Sequence, residues 1–295
     1  MKLAIDIGSN TSKCLLATFS KGRLEKVFEK SLECRISAGT NKLADLAGEM
    51  IAQAVNNFLV ETRNFTDKFD CIAVATSALR DSPQRDSIVD YVRRQTGVQI
   101  KILSGDDEAR LSFLGACSDE QLPIQSDCAY FDLGGGSLEV AFGKNKRLLS
   151  AQSFKIGAVV LTKMFCSSSE YVSSSEIKSI GNYVEDMLSD MSVLPLNILI
   201  GAGGAIVAAR MLNEKINSIA SNKISVLQIR HFIEILASMS IQERSDSFGI
   251  AKTRADILVP AFICITKLAQ KLGVEEIYHT YNNLRYGVLL DSFKV

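Results

Sequence analysis

Apolar runs open the chain. Residues 2–7 and 13–19 read as two strands, Lys21-Gly22-Arg23 as a turn, and residues 25–33 as a third strand. From 45 to 62 the apolar positions change period. Leu46, Met50, Ile51, Ala54, Val55, Phe58 and Leu59 line one face of a helix whose opposite face is polar. A buried strand at 71–75 runs into Thr76-Ser77-Ala78-Leu79-Arg80, followed by a helix at 84–95 and a strand at 98–103. Residues 104–117 read as a helix, with Ser104 and Asp107 at the spacing of a capping box.

Residues 118–127 are polar, contain Pro123, and form the best linker. Strand signals then return at 129–133, 138–142 and 147–153. A helix follows Gly157, and the Ser-rich stretch 167–175 reads as a solvated loop with helix caps. A helix at 176–191 leads to a strand at 197–200 and the turn Gly201-Ala202-Gly203-Gly204. Helices are expected at 205–212, 225–239 and 254–272, with Pro260 either kinking the last or lying in its first turns. A strand at 276–278 and a helix at 284–293 close the sequence. Hairpins followed by alternating strands and helices occur twice. This pattern predicts two α/β domains of related design with a cleft between them. The first spans 1–122, joined by the last helix at 284–295, and the second spans 123–283.

A length of 295 residues, 47% hydrophobic and 22% charged, allows two good cores. Zero formal net charge gives no sign of general nucleic-acid or membrane-surface binding. The longest apolar run, at 257–265, is too short to span a bilayer, and a strand starting at Lys2 leaves no room for a signal peptide. Seven cysteines, an odd number without a Cys-x-x-Cys pair, read as reduced, buried thiols of a cytoplasmic protein. With only His231 and His279 present, a histidine-rich metal site or a Ser-His-Asp triad is poorly supported.

The chemistry lies in an internal echo. Ile5-Asp6-Ile7-Gly8-Ser9-Asn10-Thr11 recurs 126 positions later as Phe131-Asp132-Leu133-Gly134-Gly135-Gly136-Ser137. Each copy reads as strand, Gly-rich turn, strand, with an aspartate before the turn and a hydroxyl (Thr11, Ser137) five places after it. Glycines let backbone N–H groups approach phosphate oxygens, which suits Gly8, Gly134, Gly135, Gly136, Gly203 and Gly204. A single such turn can be nothing more than a tight hairpin; two matched copies, each led by Asp, point to phosphate. Asp6, Asp132 and Glu139 are hard oxygen donors suited to Mg²⁺, although Glu139 can equally be an exposed strand residue. Arg80, beyond the end of a strand, could clamp a phosphate or pair with Asp81 or Asp86. Glu108 lies in the first turn of a helix, where an acid also complements the helix dipole. No Walker A sequence occurs.

Taken in order, these segments resemble the exopolyphosphatase / guanosine pentaphosphate phosphohydrolase (Ppx/GppA) family of the actin-like ATPase superfamily. Besides the motifs above, the resemblance rests on Ser104-Gly105-Asp106-Asp107-Glu108-Ala109-Arg110, Asp132 to Glu139, Ile156-Gly157-Ala158, Gly201 to Gly204, Arg254-Ala255-Asp256 and Leu284-Arg285-Tyr286-Gly287. It implies two ribonuclease-H-like domains with an interdomain active-site cleft, and Mg²⁺-dependent release of terminal phosphate from polyphosphate or guanosine pentaphosphate. Short-chain polyphosphate is the preferred expectation, and a homodimer is the oligomer that the family suggests. Under the resemblance Glu108 is the catalytic base and Asp132 and Glu139 position metal and water. Asp6 joins them as a metal acid, while Gly8, Ser9, Asn10 and Arg80 of the first loop region bind phosphate with Gly134 to Ser137 and Gly203-Gly204. The chain looks like a short form without the family's C-terminal helical domain. Leu138 and Ala205 stand where threonines are usual, and Tyr286 where a glutamate is. These departures keep open a second reading, a binding or regulatory protein with little turnover. An ATP-using kinase is a third, without a motif for adenine.

Overall fold

The structure, a computed structural model, describes residues 1–34, 36, 43–124, 126–166 and 170–294. They divide into two compact units, Met1–Asp119 with Asn282–Val295, and Glu120–Tyr281.

The first unit contains β1 (Lys2–Ile7), β2 (Thr11–Ser20), β3 (Arg23–Glu33), α1 (Leu43–Thr62), β4 (Asp70–Ala75), α2 (Ser77–Arg80), α3 (Arg85–Thr96), β5 (Ile100–Ile102) and α4 (Gly105–Ala116). The last helix of the chain, α12 (Leu284–Phe293), also belongs to it. Its sheet order is β3-β2-β1-β4-β5. The β1–β2 and β2–β3 pairs are antiparallel, and β1–β4 and β4–β5 are parallel.

Strand alternation sorts the side chains onto two faces. Leu3, Ile5, Ile7, Cys14 and Leu16 pack with Ile51, Val55 and Phe58 of α1 and Ile88 and Val92 of α3. Ala4, Leu15, Ala17 and Val74 pack with Leu111 of α4 and Leu284, Tyr286, Val288 and Leu289 of α12. The α4–α12 contact is close because both helices carry glycine there. A Cβ on Gly287 would lie 1.7 Å from the Leu111 carbonyl oxygen, and one on Gly115 2.1 Å from that of Asn283. Arg285, 4% exposed, ties α12 to the sheet through the Cys14 carbonyl (3.1 Å) and the Glu29 carboxylate (2.7 Å).

The second unit contains β6 (Asp127–Leu133), β7 (Leu138–Lys144), β8 (Arg147–Phe154), α5 (Ala158–Phe165), α6 (Ser174–Met187), β9 (Ile198–Ala202), α7 (Gly204–Asn217), β10 (Lys223–Ser225), α8 (Val226–Ala237), α9 (Ile241–Phe248), α10 (Lys252–Ala255), α11 (Leu258–Leu272) and β11 (Glu276–His279). Its sheet order is β10-β11-β9-β6-β7-β8. Read from β8, the first five strands repeat the order and directions of the first unit, with β10 added at the edge. The internal echo in sequence is thus an echo in topology, and both units are α/β.

The elements depart from expectation in a few places. The helix expected at 254–272 is two, α10 and α11. In a continuous helix Pro260 would offer no N–H to the Asp256 carbonyl, so the chain restarts and the proline falls in the first turn of α11. The Ser240–Glu243 capping box and Gly249 in the left-handed region bound α9, which the sequence reading missed. Also missed were the short α2 and β10. Ser104 accepts from the Asp107 N–H and donates to the Asp107 carboxylate, a one-sided version of the expected box. In the Ser-rich stretch, Ser173 caps α6; residues 167–169 lie outside the described residues.

Candidate active site

In each unit the singled-out residues gather at the C-terminal ends of the parallel strands, where α/β proteins place ligands. In the first unit Asp6 is the penultimate residue of β1, directly across from Lys13 on β2 and level with Val74 on β4. The turn Gly8-Ser9-Asn10 is closed by the Gly8 N–H bonding the Thr11 carbonyl at 3.2 Å. Ser9 Oγ lies 3.1 Å from Ser77 Oγ at the start of α2, so the turn meets the segment after β4. The Ser9 carbonyl accepts from the Ile36 N–H. In a planar trans peptide the next N–H points the opposite way, so that of Asn10 is turned away from residue 36.

Arg80 ends α2 and Glu108 sits in the first turn of α4. The structure brings them together: Arg80 Nη1 donates to Glu108 Oε2 at 2.8 Å and to the Leu103 carbonyl at 3.1 Å. Neither Asp81 nor Asp86 is its partner in these bonds; Asp86 pairs with Arg85 instead. Glu108 is 8% exposed, a burial that helix-dipole complementarity alone does not call for. Asp107, its neighbour, is a half-exposed acid paired with Arg110.

In the second unit Asp132 and Glu139 face one another across the β6–β7 hairpin in register. The expected exposed alternative for Glu139 is excluded, since it is 2% exposed. Ser153 Oγ donates to Glu139 Oε1 at 2.8 Å, and Tyr130 Oη lies 3.4 Å from Asp132 Oδ2. Like charges opposed on a sheet destabilise it unless a cation joins them, so the donor set fits a hard divalent ion. Among the described residues no cluster of three or more His, Cys, Asp or Glu could hold a metal by itself. Mg²⁺ does not require one, since it commonly takes one or two carboxylates with water and phosphate oxygens. The corresponding pair in the first unit is Asp6 with Lys13, acid against base, a poorer setting for a cation.

The Gly-rich turn is braced by the start of α5. The N–H groups of Ala158 and Val159 donate to the carbonyls of Gly134 and Gly135, both at 2.9 Å. Planar peptides then turn the N–H groups of Gly135 and Gly136 away from α5. Gly157 permits this approach: a Cβ there would lie 2.4 Å from the backbone of Gly135 and Gly136. Ser137, 2% exposed, closes the turn through its carbonyl, which accepts from the Gly134 N–H at 2.9 Å.

Gly203 and Gly204 follow β9, whose Ala202 is level with Asp132. Gly203 has φ 94° and ψ 171°, a region essentially restricted to glycine. A Cβ there would lie 2.6 Å from Asp132 Oδ1, while the space beside Gly204 is open. Gly203→Ala is expected to destabilise the protein by about 1–3 kcal/mol. Urea denaturation would show this as a lower midpoint at unchanged slope, and a wild-type midpoint would mean that the loop relaxes freely.

The positions that depart from the family pattern turn out to face away from this chemistry. Leu138 and Ala205 are buried in the core of the second unit, and Tyr286 in the α12 cluster of the first. They fill cores. Burial pushes the thiols of Cys14 and Cys264 to about 12 and those of Cys71, Cys128 and Cys166 to about 11, far from nucleophilic use. Among the described residues no helix is long and apolar enough to cross a membrane.

The chain is similar to several known proteins. The sequence is 26% identical over 310 residues to a bifunctional 3-dehydroquinate synthase/phosphatase of Fusobacterium nucleatum, covering 99% of this chain and 46% of that protein. It is 25% identical to exopolyphosphatase 1 of Mycobacterium leprae, covering 98% of this chain and 89% of the relative. It is also 26% identical to a guanosine-5'-triphosphate,3'-diphosphate pyrophosphatase of Pseudoalteromonas translucida, covering 97% and 58% respectively. The chain therefore spans about half of two of these relatives and most of the third. In fold it is similar to the crystal structure of an exopolyphosphatase from Cytophaga hutchinsonii, with a TM-score of 0.89, 21% identity, and 99% and 97% of the two chains covered. The Ppx/GppA phosphatase family model matches residues 15–295, and the chain belongs to that family.

Proposed function

We propose that the protein is a Mg²⁺-dependent phosphoanhydride hydrolase that releases terminal phosphate from inorganic polyphosphate, with short chains preferred. The observation that carries the reading is the buried Glu108 carboxylate held by Arg80 at the mouth of the parallel strands. A carboxylate oriented by a hydrogen bond from a guanidinium can accept the proton of an attacking water. Family membership and the names of the relatives support a phosphatase. A relative named exopolyphosphatase and one named for hydrolysis of a guanosine nucleotide match this chain at 25% and 26% identity, and the phosphoanhydride bond is what the two substrates share.

Phosphoryl transfer needs positioning and neutralised charge more than covalent chemistry. Asp132 and Glu139 would hold Mg²⁺, which when bound supplies positive charge against the phosphate oxygens. In the second unit the Gly135 and Gly136 amides would receive phosphate oxygens, helped by Gly203-Gly204, and in the first unit the Gly8-Ser9-Asn10 turn would do the same. The water oxygen attacks phosphorus, its proton passes to Glu108, and the bond to the bridging oxygen breaks. That oxygen leaves with the electron pair on the shortened polyphosphate. Arg80 holds Glu108 through Nη1 and has further N–H donors with which to meet the phosphate.

The substrate is tested by measuring phosphate release from short-chain polyphosphate, long-chain polyphosphate and guanosine pentaphosphate, each with and without Mg²⁺. Fastest release from the short chain, absent without Mg²⁺, is the expected result. Release confined to guanosine pentaphosphate would replace the substrate, and metal-independent release would remove the role of Asp132 and Glu139. Arg80→Ala removes a charge-assisted bond worth ~1.5–3 kcal/mol and is expected to slow release about 10–150-fold. Arg80→Lys should recover only part of the rate, because one ammonium lacks the planar fork. Full activity in Arg80→Ala would show that Glu108 needs no partner.

A further inference from the structure

The β6–β7–β8 register places three polar side chains in one row. Asp132 lies opposite Glu139, and Glu139 lies opposite Ser153. Neighbouring strands are only about 4.8 Å apart, so side chains in such a row reach one another. Ser153 Oγ uses this placement to donate to Glu139 Oε1 at 2.8 Å. An ionised carboxylate only accepts hydrogen bonds, so this bond fixes one of the two Glu139 oxygens on the β8 side. The same segment leads four residues later to Gly157, against which the Gly-rich turn packs. One stretch of chain thus orients the carboxylate and braces the turn.

We propose that Ser153 is a positioning residue that aims the Glu139 carboxylate, together with Asp132, at a divalent cation. This rests on the reading of Asp132 and Glu139 as the acids that hold the metal. Ser153 is on the far side of Glu139 from Asp132 in the row, so it acts through Glu139. Hydrogen-bond partners behind metal ligands typically govern affinity by about 10–100-fold. That is the size expected here.

The test measures Mn²⁺ alone, standing for Mg²⁺, bound to the full chain and followed by electron paramagnetic resonance of the free ion. Wild type, Ser153→Ala, Ser153→Thr and Glu139→Gln are compared, each checked by circular dichroism and thermal unfolding. Weakening of about 10-fold or more in Ser153→Ala, recovery in Ser153→Thr and loss in Glu139→Gln is the expected pattern. If Glu139→Gln loses binding while Ser153→Ala binds as wild type, the role of Ser153 is overturned and the metal reading stands. If Glu139→Gln binds as wild type, the metal reading itself fails and the role of Ser153 fails with it. A purely structural serine would lower the unfolding temperature of Ser153→Ala without changing the Mn²⁺ affinity of the folded protein. That result would also overturn the proposal.

Discussion

Glu108→Gln is expected to lower phosphate release by about 10²–10⁴-fold, the range that a general base contributes. The amide is nearly the same size, so the helix start and its Ser104 cap remain. What disappears is the proton acceptor and the charge that Arg80 Nη1 meets at 2.8 Å. Binding of polyphosphate should survive, because the amides proposed to hold it and the carboxylates proposed to hold Mg²⁺ are other residues. The loss therefore falls on kcat rather than on KM. Steady-state rates together with direct binding of a short polyphosphate to the variant separate the two. A variant that also fails to bind would make Glu108 a structural anchor for Arg80.

Gly287→Ala is expected to have the largest effect on stability. The added methyl carbon would stand 1.7 Å from the Leu111 carbonyl oxygen, on the backbone of the helix that carries Glu108. Backbone cannot swing aside as the tip of a side chain can, so α12 must lift from α4. That uncovers part of the cluster formed by Ala4, Leu15, Val74, Leu111 and Leu289. Ordinary overpacking costs about 1–3 kcal/mol, and this site should lie at or above the upper end. At ~3 °C per kcal/mol for a chain of this size class, the melting midpoint should fall by on the order of 10 °C. A midpoint within a degree of wild type would mean that α12 is not packed on α4 as described.

Much of the fold was legible because alternation in strands is a simple code. The Ile5–Thr11 and Phe131–Ser137 segments announced two hairpins, and the two sheets carry them at matching places. The same code applied to Leu138 would have placed it in the core, since it alternates with Glu139. The Arg80–Glu108 pair was hidden for a different reason. Its members are 28 residues apart and meet only because β4 and β5 run parallel and side by side. Ser153 required the β7–β8 register, which no local pattern reveals. For α9, by contrast, the Ser240–Glu243 box and Gly249 were in plain view. Eight residues with a weakly apolar face simply gave too little periodicity to attract notice.

Hydrolysis through Glu108 is tested most directly by the initial rate of phosphate release from short-chain polyphosphate with Mg²⁺, wild type beside Glu108→Gln. Release by the wild type and its near-complete loss in a folded, ligand-binding Glu108→Gln protein is the predicted result. Equal rates in the two proteins, or no release by folded wild type from any of the three substrates, would contradict it.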